Sequence, residues 1–262
     1  MPHFSANLSL LFTERPFLER FAAAAAAGFK AVEFQFPYAF EKEAVAAAAR
    51  DAGVEVVLFN LHAGDWDGGE RGIACHPDRV EEFRASLPRS LDYARELACP
   101  RLNCLAGRVP AGVSREAALE TLIGNLRFAS TQLAATELDL MLEPINSRDI
   151  PGFLVDRPRL GLEIIEAVAA DNLYLQYDVY HAQVMEGDLA RCLQENLCRI
   201  GHIQIADNPG RHEPGTGEIN YDFLFNHLDA IGYEGWVGAE YFPAGVTEAG
   251  LGWLARRGAR AM

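Results

Sequence analysis

Short apolar segments and longer amphipathic segments alternate along the whole chain. The segments 54–61 and 138–143 have the length and near-continuous hydrophobic character of strands that are covered on both faces. Segments such as 78–97 and 114–135 have the length and the apolar spacing of helices. Counted through, a strand is followed by a helix eight times, without a linker or a break in composition. The pattern predicts a single domain over residues 1–262.

Strict alternation of strands and helices predicts an all-parallel sheet. Eight such units in about 250 residues match the size of a closed (β/α)8 TIM barrel. The competing arrangement is an open doubly wound sheet, whose dinucleotide-binding form has a GxGxxG turn after its first strand. The corresponding turn here, residues 9–14, has the sequence SLLFTE and lacks those glycines. We therefore expect an α/β fold of the (β/α)8 barrel type.

Polar side chains end four consecutive predicted strands. Glu143, Asp178 and Glu240 each close an apolar run, and Gln204 lies near the end of a fourth. In such barrels the chemistry lies where the carboxyl ends of the strands meet the following loops. Side chains alternate across a strand, and the opposite parity of these strands is apolar and suited to packing under helices. We expect the four polar side chains to face the barrel axis and to meet around one point.

Three carboxylates in one pocket repel one another, and burying them unpaired is costly. Either protonation or a cation must compensate. Oxygen donors suit Mg²⁺ or Mn²⁺ better than Zn²⁺, which prefers nitrogen and sulfur. Four protein ligands (Glu143, Asp178, Gln204 and Glu240) would leave two positions of an octahedral ion for adjacent substrate oxygens. Beside such an ion, Glu143 and Glu240 are predicted to move a carbon-bound proton of an α-hydroxycarbonyl substrate.

Composition narrows the classes of partner and compartment. The chain has 23 Lys and Arg against 37 Asp and Glu, a net charge of −14, which argues against a nucleic-acid partner. Its five cysteines form no CxxC pair, which indicates reduced thiols in a cytoplasmic protein. The start of the chain lacks the basic region of a signal peptide, and no apolar stretch reaches the ~18 residues of a membrane span. We expect a soluble, cytoplasmic protein without a membrane partner.

Several motifs resemble those of one known family. They are EPIN at 143–146, DIPGF at 149–153, QYDVYH at 176–181, GHIQIAD at 201–207 and EPGTGEINY at 213–221. The chain resembles the hydroxypyruvate isomerase family nearly from end to end. The resemblance implies a xylose isomerase-like TIM barrel that interconverts hydroxypyruvate and tartronate semialdehyde (2-hydroxy-3-oxopropanoate) in glyoxylate metabolism. It also implies that Glu143 and Glu240 are the proton donor and acceptor, with Glu143, Asp178, Gln204 and Glu240 around a divalent ion.

Four further residues are predicted to bind the substrate. His181 follows Asp178 by three positions, and Arg211 lies in the loop after the seventh strand, where its planar cation suits a carboxylate. His62 and Asn7 follow or end other strands. Each of the four also has an ordinary structural interpretation as a loop or strand-end residue. In related ketose epimerases a histidine usually stands at the position of Gln204, which leaves the identity of the metal open.

Other functions stay compatible with the sequence. A 2-oxotetronate isomerase or a ketose 3-epimerase would use the same ion and the same glutamates. A metal-dependent abasic-site nuclease shares the fold, but it would need a basic face. A non-catalytic sugar-acid binding protein would bind its ligand without exchanging the carbon-bound proton. The alanine-rich first helix and the exposed aromatic residues permit a homo-oligomer without demonstrating one.

Overall fold

The structure, a computed structural model, describes residues 2–258, so the ends of the predicted domain, residue 1 and residues 259–262, lie outside the described range. Within that range the strands are β1 His3–Asn7, β2 Ala31–Phe34, β3 Glu55–Asn60, β4 Arg101–Cys104, β5 Asp139–Leu142, β6 Leu173–Asp178, β7 Ile200–Ile205 and β8 Trp236–Ala239. The α-helices are α1 Arg20–Ala26, α2 Lys42–Ala52, α3 Val80–Leu97, α4 Arg115–Ala134, α5 Pro158–Val168, α6 Val179–Met185, α7 Leu189–Glu195, α8 Tyr221–Ala230, α9 Thr247–Gly250 and α10 Gly252–Gly258.

The strands form a closed parallel barrel. Each strand pairs with the next one in the chain, and β8 pairs with β1 to close the ring. Asp178 on β6 is level with Gln204 on β7, and Gln204 is level with Gly238 on β8. The carboxyl ends of β6, β7 and β8 therefore lie at one height on one face of the molecule. The predicted (β/α)8 barrel is confirmed.

The two parities of the strands face different surroundings, as the sequence predicts. Leu140, Leu142, Leu175, Ile203 and Val237 are fully buried in the apolar core. Polar residues of the other parity fill the barrel interior and bond to one another across it, as described below. One face of each strand packs under the helices and the other faces the barrel interior, so neither face is exposed to solvent. The polar residues are on the inner face, from which they can reach the barrel axis.

One glycine makes the polar interior of the barrel feasible. Gly238 on β8 lies against the carboxylate of Glu33, which reaches across from β2. A Cβ at position 238 would lie 2.2 Å from Glu33 Oε2, far inside van der Waals contact. The buried carboxylate of Glu33 therefore occupies the space that a side chain at position 238 would fill.

The helix boundaries follow local chemistry. Ser114 caps α4, because its Oγ accepts a hydrogen bond of 3.1 Å from the backbone N–H of Ala117. The short helix α6 begins directly after β6 and was not predicted. The helix predicted near the end of the chain is divided at Leu251 into α9 and α10. No helix of the described range combines the length and the hydropathy that crossing a bilayer would take.

Candidate active site

The four strand-end residues predicted as ligands lie at the same end of the barrel. Glu143 and Glu240 directly follow β5 and β8, Asp178 is the last residue of β6, and Gln204 lies within β7. Their side chains are almost inaccessible to solvent: 4% of Glu143, 2% of Asp178, 1% of Gln204 and 5% of Glu240 is exposed. Three carboxylates and one amide are therefore buried where parallel strands end.

The two carboxylate oxygens of Asp178 differ in their hydrogen bonding. Oδ1 caps α6 by accepting hydrogen bonds from the backbone N–H groups of Tyr180 (2.7 Å) and His181 (3.3 Å). Oδ2 is buried and, among the residues that the structure describes, has no hydrogen-bond partner. Oxygen and nitrogen atoms of Glu143, Asp178 and His181 lie within 4.8 Å of one another. A buried carboxylate oxygen without a donor is an atom that a cation would satisfy.

Arg211 brings a permanent positive charge into this group of acids. Its Nη2 donates to Glu240 Oε2 at 3.1 Å and lies 3.7 Å from Asp178 Oδ2. The guanidinium carbon lies 5.3 Å from the ring centre of Tyr180 and 5.7 Å from that of Phe242. These contacts give the planar cation both charged and aromatic partners.

The backbone of the loop after β7 determines where Arg211 points. The Arg211 N–H donates to the carbonyl of Asp207 at 2.8 Å, and the Asp207 N–H donates to the carbonyl of His212 at 2.8 Å. Arg211 itself adopts a left-handed conformation with φ of 53°. Such a conformation is uncommon for a residue with a side chain and marks a position that the surrounding structure fixes.

Burial and mutual repulsion change the acidity of the carboxylates. Burial, and then the charges of Glu240 and Asp178, raise the pKa of Glu143 well above its usual value. Burial raises the pKa of Glu240 to about 8 although the nearby Arg211 opposes this shift. Burial also raises the pKa of Asp178. The acids in turn stabilise the charged form of Arg211. Burial alone would lower the pKa of Arg211, but Glu240, Asp178 and Glu143 raise it. In the protein without metal, Glu240 can therefore exchange a proton near neutral pH.

Two asparagines orient the two glutamates. Asn7, at the end of β1, donates through Nδ2 to Glu240 Oε1 at 3.0 Å. Asn103, on β4, donates through Nδ2 to Glu143 Oε2 at 2.8 Å and to Asn60 Oδ1 at 3.1 Å. Asn7 was a predicted site residue, and the structure places it in the group, in contact with a glutamate. Asn103 was not predicted, although a polar residue near the end of the strand 101–104 was visible in the sequence.

Gln204 belongs to a polar network beneath the carboxylates. Its Nε2 donates to Glu33 Oε1 at 2.8 Å, and its Oε1 accepts from Gln176 Nε2 at 2.6 Å. Glu33 Oε2 accepts from His202 Nε2 and from Ser5 Oγ, each at 2.8 Å. Burial opposes the charge of Glu33, but His202 and these donors hold its pKa below the usual value. The carbonyl oxygen of Gln204 has a second lone pair, which could still bind a metal ion. Metal binding by Gln204 stays a prediction.

The two predicted substrate-binding histidines have different surroundings. His181 is buried, and its Nε2 lies 3.5 Å from Asp178 Oδ2. Burial and then Arg211 lower its pKa well below the usual value, so both disfavour the charged form of the ring. His62 follows β3 in a half-exposed position, with Nε2 3.9 Å from Glu82 Oε1 on α3. His181 therefore belongs to the buried group, whereas the contact shown for His62 is with a surface glutamate. The substrate-binding role of His62 stays a prediction.

The family model of the xylose isomerase-like TIM barrel matches residues 21–257. The chain belongs to this family. It is 50% identical over 254 residues to the hydroxypyruvate isomerase of Escherichia coli (strain K12), a match that covers 97% of this chain and 98% of the relative. It is 47% identical to the 2-oxo-tetronate isomerase of Cupriavidus necator, with the same coverage. The resemblance that the motifs indicated is confirmed.

One solved structure has nearly the same backbone as this chain. The crystal structure of a protein named AP endonuclease, family 2, from Brucella melitensis superposes with a TM-score of 0.95 at 44% identity, over 98% of this chain and 99% of the other. Backbone agreement at this level supports the strand order and the position of the strand ends. One barrel fold serves many reactions, so the side chains of the site, and not the backbone, determine the chemistry.

Proposed function

We propose that this chain is an isomerase that interconverts hydroxypyruvate and tartronate semialdehyde. The single observation that carries the proposal is a pair of buried glutamates, Glu143 and Glu240, at the carboxyl ends of strands in one barrel, both facing Asp178 and Arg211. The name of the relative from Escherichia coli supports the same reaction, and 50% identity over nearly the whole chain supports the transfer.

The reaction moves one hydrogen between neighbouring carbons. One glutamate removes a proton from C3 of hydroxypyruvate, which leaves an enediolate, and the other glutamate delivers a proton to C2. The oxygens exchange hydroxyl and carbonyl character, so no oxidant or reductant is needed. In the protein without metal, the raised pKa values make Glu143 and Glu240 stronger bases than ordinary carboxylates, which suits removal of a carbon-bound proton.

The positive charge of Arg211 suits the carboxylate of the substrate. Its guanidinium can form two parallel hydrogen bonds to a carboxylate, which a lysine cannot do. Its contact with Glu240 at 3.1 Å places it beside one of the proposed proton-transfer groups. His181 and Asn7 complete the proposed set of substrate-binding groups, with the more exposed His62 as a further proposed member.

The charges of the site favour a divalent metal ion. Three buried carboxylates (Glu143, Asp178 and Glu240) carry −3 when ionised, and Arg211 returns +1, which leaves −2. Asp178 Oδ2, which has no hydrogen-bond partner among the described residues, and the all-oxygen donor set fit Mg²⁺ or Mn²⁺. We propose Glu143, Asp178, Gln204 and Glu240 as the ligands. When bound, such an ion polarises the carbonyl of the substrate.

The second candidate is 2-oxotetronate isomerisation. It uses the same proton transfer on a substrate with one more carbon, and the relative from Cupriavidus necator, at 47% identity, supports it. A nuclease, as the name of the Brucella protein suggests, would have to attract DNA phosphates with a chain of net charge −14. A small 2-oxo acid is therefore the proposed partner, and a cytoplasmic location stays a prediction.

The test is turnover of hydroxypyruvate and 2-oxotetronate by chelator-treated protein reloaded with Mg²⁺ or Mn²⁺. We expect hydroxypyruvate to have the higher kcat/KM, and Glu143→Gln and Glu240→Gln each to lower kcat by at least about 100-fold. Glu163→Gln, at an exposed position of α5, is the matched control and should retain activity. If either active-site variant kept kcat within a few-fold of the parent, the assignment of the glutamates would be wrong.

A further inference from the structure

The loop after β5 contains an asparagine whose side chain can adopt only one orientation. Asn146 is fully buried, and its Oδ1 accepts hydrogen bonds from the backbone N–H groups of Arg148 (3.0 Å) and Asp149 (2.8 Å). Only the oxygen of an amide can face two N–H donors. The NH2 end of Asn146 must therefore point away from this turn.

The NH2 group of Asn146 is directed at His181. Its Nδ2 lies 2.6 Å from His181 Nδ1 and donates to Asp149 Oδ2 at 3.2 Å, so both of its hydrogens have a partner. An amide NH2 only donates, and His181 Nδ1 must accept. A neutral imidazole has one hydrogen, which then lies on Nε2. That nitrogen is the one that lies 3.5 Å from Asp178 Oδ2.

This proton position determines what His181 can offer to the pocket. By distance alone, His181 could join Glu143 and Asp178 in holding a metal ion. A ring nitrogen that carries hydrogen has no lone pair for a metal. Histidines that bind metals usually donate their other N–H to an acceptor, whereas the partner of His181 Nδ1 is a donor. The hydrogen-bond pattern is the reverse of the one that metal binding requires.

We propose that Asn146 is a positioning residue that fixes the hydrogen of the His181 ring on Nε2. His181 then supplies an uncharged N–H donor to the pocket and stays outside the set of metal ligands. The first part concerns the protein alone. The second part, a hydrogen bond from His181 to a substrate oxygen, rests on the proposed function.

The substitution Asn146→Asp tests the proposal, because it keeps the shape of the side chain and reverses the hydrogen bond to His181. It also removes the hydrogen bond that Asn146 donates to Asp149. An aspartate keeps the oxygen that accepts the two backbone N–H groups, so the turn is retained. Its second oxygen can only accept, which requires a hydrogen on His181 Nδ1. Asn220→Asp is the matched control, since Asn220 caps α8 through its oxygen and an aspartate caps equally well.

The readout is the nitrogen NMR spectrum of protein labelled with ¹⁵N-histidine, without metal and with Mg²⁺, with His181 assigned by its absence in His181→Gln. In the parent and in Asn220→Asp we expect a hydrogen on Nε2 and an unprotonated Nδ1. In Asn146→Asp we expect Nδ1 to be protonated. A protonated Nδ1 in the parent, or an unchanged Nδ1 in a folded Asn146→Asp, would overturn the proposal. If the variant does not fold, the parent spectrum alone tests the proposal.

Two further measurements separate this proposal from the proposed function. In Mn²⁺-loaded parent protein, electron spin echo spectroscopy should show no directly bound histidine nitrogen, and a bound one would overturn the proposal. We expect Asn146→Asp to lower kcat with hydroxypyruvate by about 100-fold, the effect of losing one well-placed donor. If the NMR result holds and the parent does not turn over hydroxypyruvate, the proposed function fails while the role of Asn146 stands.

Discussion

The buried carboxyl of Glu240 makes the stability of the metal-free protein depend on pH in a defined direction. Burial raises its pKa from the usual 4.5 to about 8 in the folded protein. The unfolded chain releases this proton near pH 4.5, whereas the folded protein keeps it until about pH 8. Unfolding therefore releases a proton in this window, and the free energy of unfolding falls as the pH rises through it.

The size of the effect follows from the same shift. A change from 4.5 to about 8, at about 1.4 kcal/mol per pKa unit, corresponds to at most about 5 kcal/mol. Because Glu143 and Asp178 titrate in the same pocket, the value belongs to the group of acids and is an upper limit for Glu240 alone. Even half of it is a large part of the stability of a typical domain.

The substitution Glu240→Gln isolates this contribution, because the amide has nearly the same shape and does not ionise. We expect the parent to be destabilised relative to Glu240→Gln as the pH rises from about 5 to 9, by up to about 5 kcal/mol. The assay is urea unfolding at a series of pH values with EDTA present. The difference at a single pH also contains the altered hydrogen bond to Arg211, so the change with pH is the quantity to measure.

A matched control and a clear refutation exist for this experiment. Glu163→Gln removes an exposed carboxylate on α5, and its difference from the parent should change with pH by less than about 0.5 kcal/mol. A difference between the parent and Glu240→Gln that is flat across the same range would show that Glu240 ionises normally in the folded protein. The reasoning from burial to proton transfer would then be wrong.

Three other predictions follow from single contacts. Gly238→Ala should lower the free energy of unfolding, measured in urea, by about 1–3 kcal/mol, because the new methyl group meets the Glu33 carboxylate. Its control is Gly124→Ala on α4, where the new methyl group has open space and should not be destabilising. Asp178→Asn should abolish the stabilisation by Mn²⁺ that we expect in the parent, about 2.7 kcal/mol at 100 times the Kd, measured by thermal unfolding. Arg211→Lys should reduce kcat/KM for hydroxypyruvate by at least about 10-fold, because a lysine lacks the planar fork that gives two parallel hydrogen bonds to a carboxylate. Arg191→Lys, on the exposed surface of α7, should not reduce it.

The strand ends were predictable because two independent patterns agree there. Each apolar run has a polar side chain at or near its end, and parity separates the apolar side from the polar side. These patterns are local, so they identify Glu143 and Asp178 without knowledge of distances. Glu240 follows from the same rule at the end of the last strand.

The supporting residues could not be predicted in the same way. Asn103 is important because its strand lies between those of Asn60 and Glu143, and a sequence does not give the distance between side chains on neighbouring strands. The helix α6 has seven residues, too few for a periodic pattern to be recognised. The prediction for His62 depends on its position after a strand, and position alone does not determine where a side chain points.

Exchange of the carbon-bound hydrogen with solvent tests the central claim, that Glu143 and Glu240 move a proton of the substrate. The measurement is proton NMR of hydroxypyruvate in D2O with the Mg²⁺-loaded protein. We predict loss of the C3 hydrogen signal together with formation of tartronate semialdehyde in the parent. Neither Glu143→Gln nor Glu240→Gln should form tartronate semialdehyde, and C3 exchange should be lost in the variant that lacks the glutamate acting on C3. Tight binding of hydroxypyruvate without any exchange, or exchange that persists in both variants, would contradict the account.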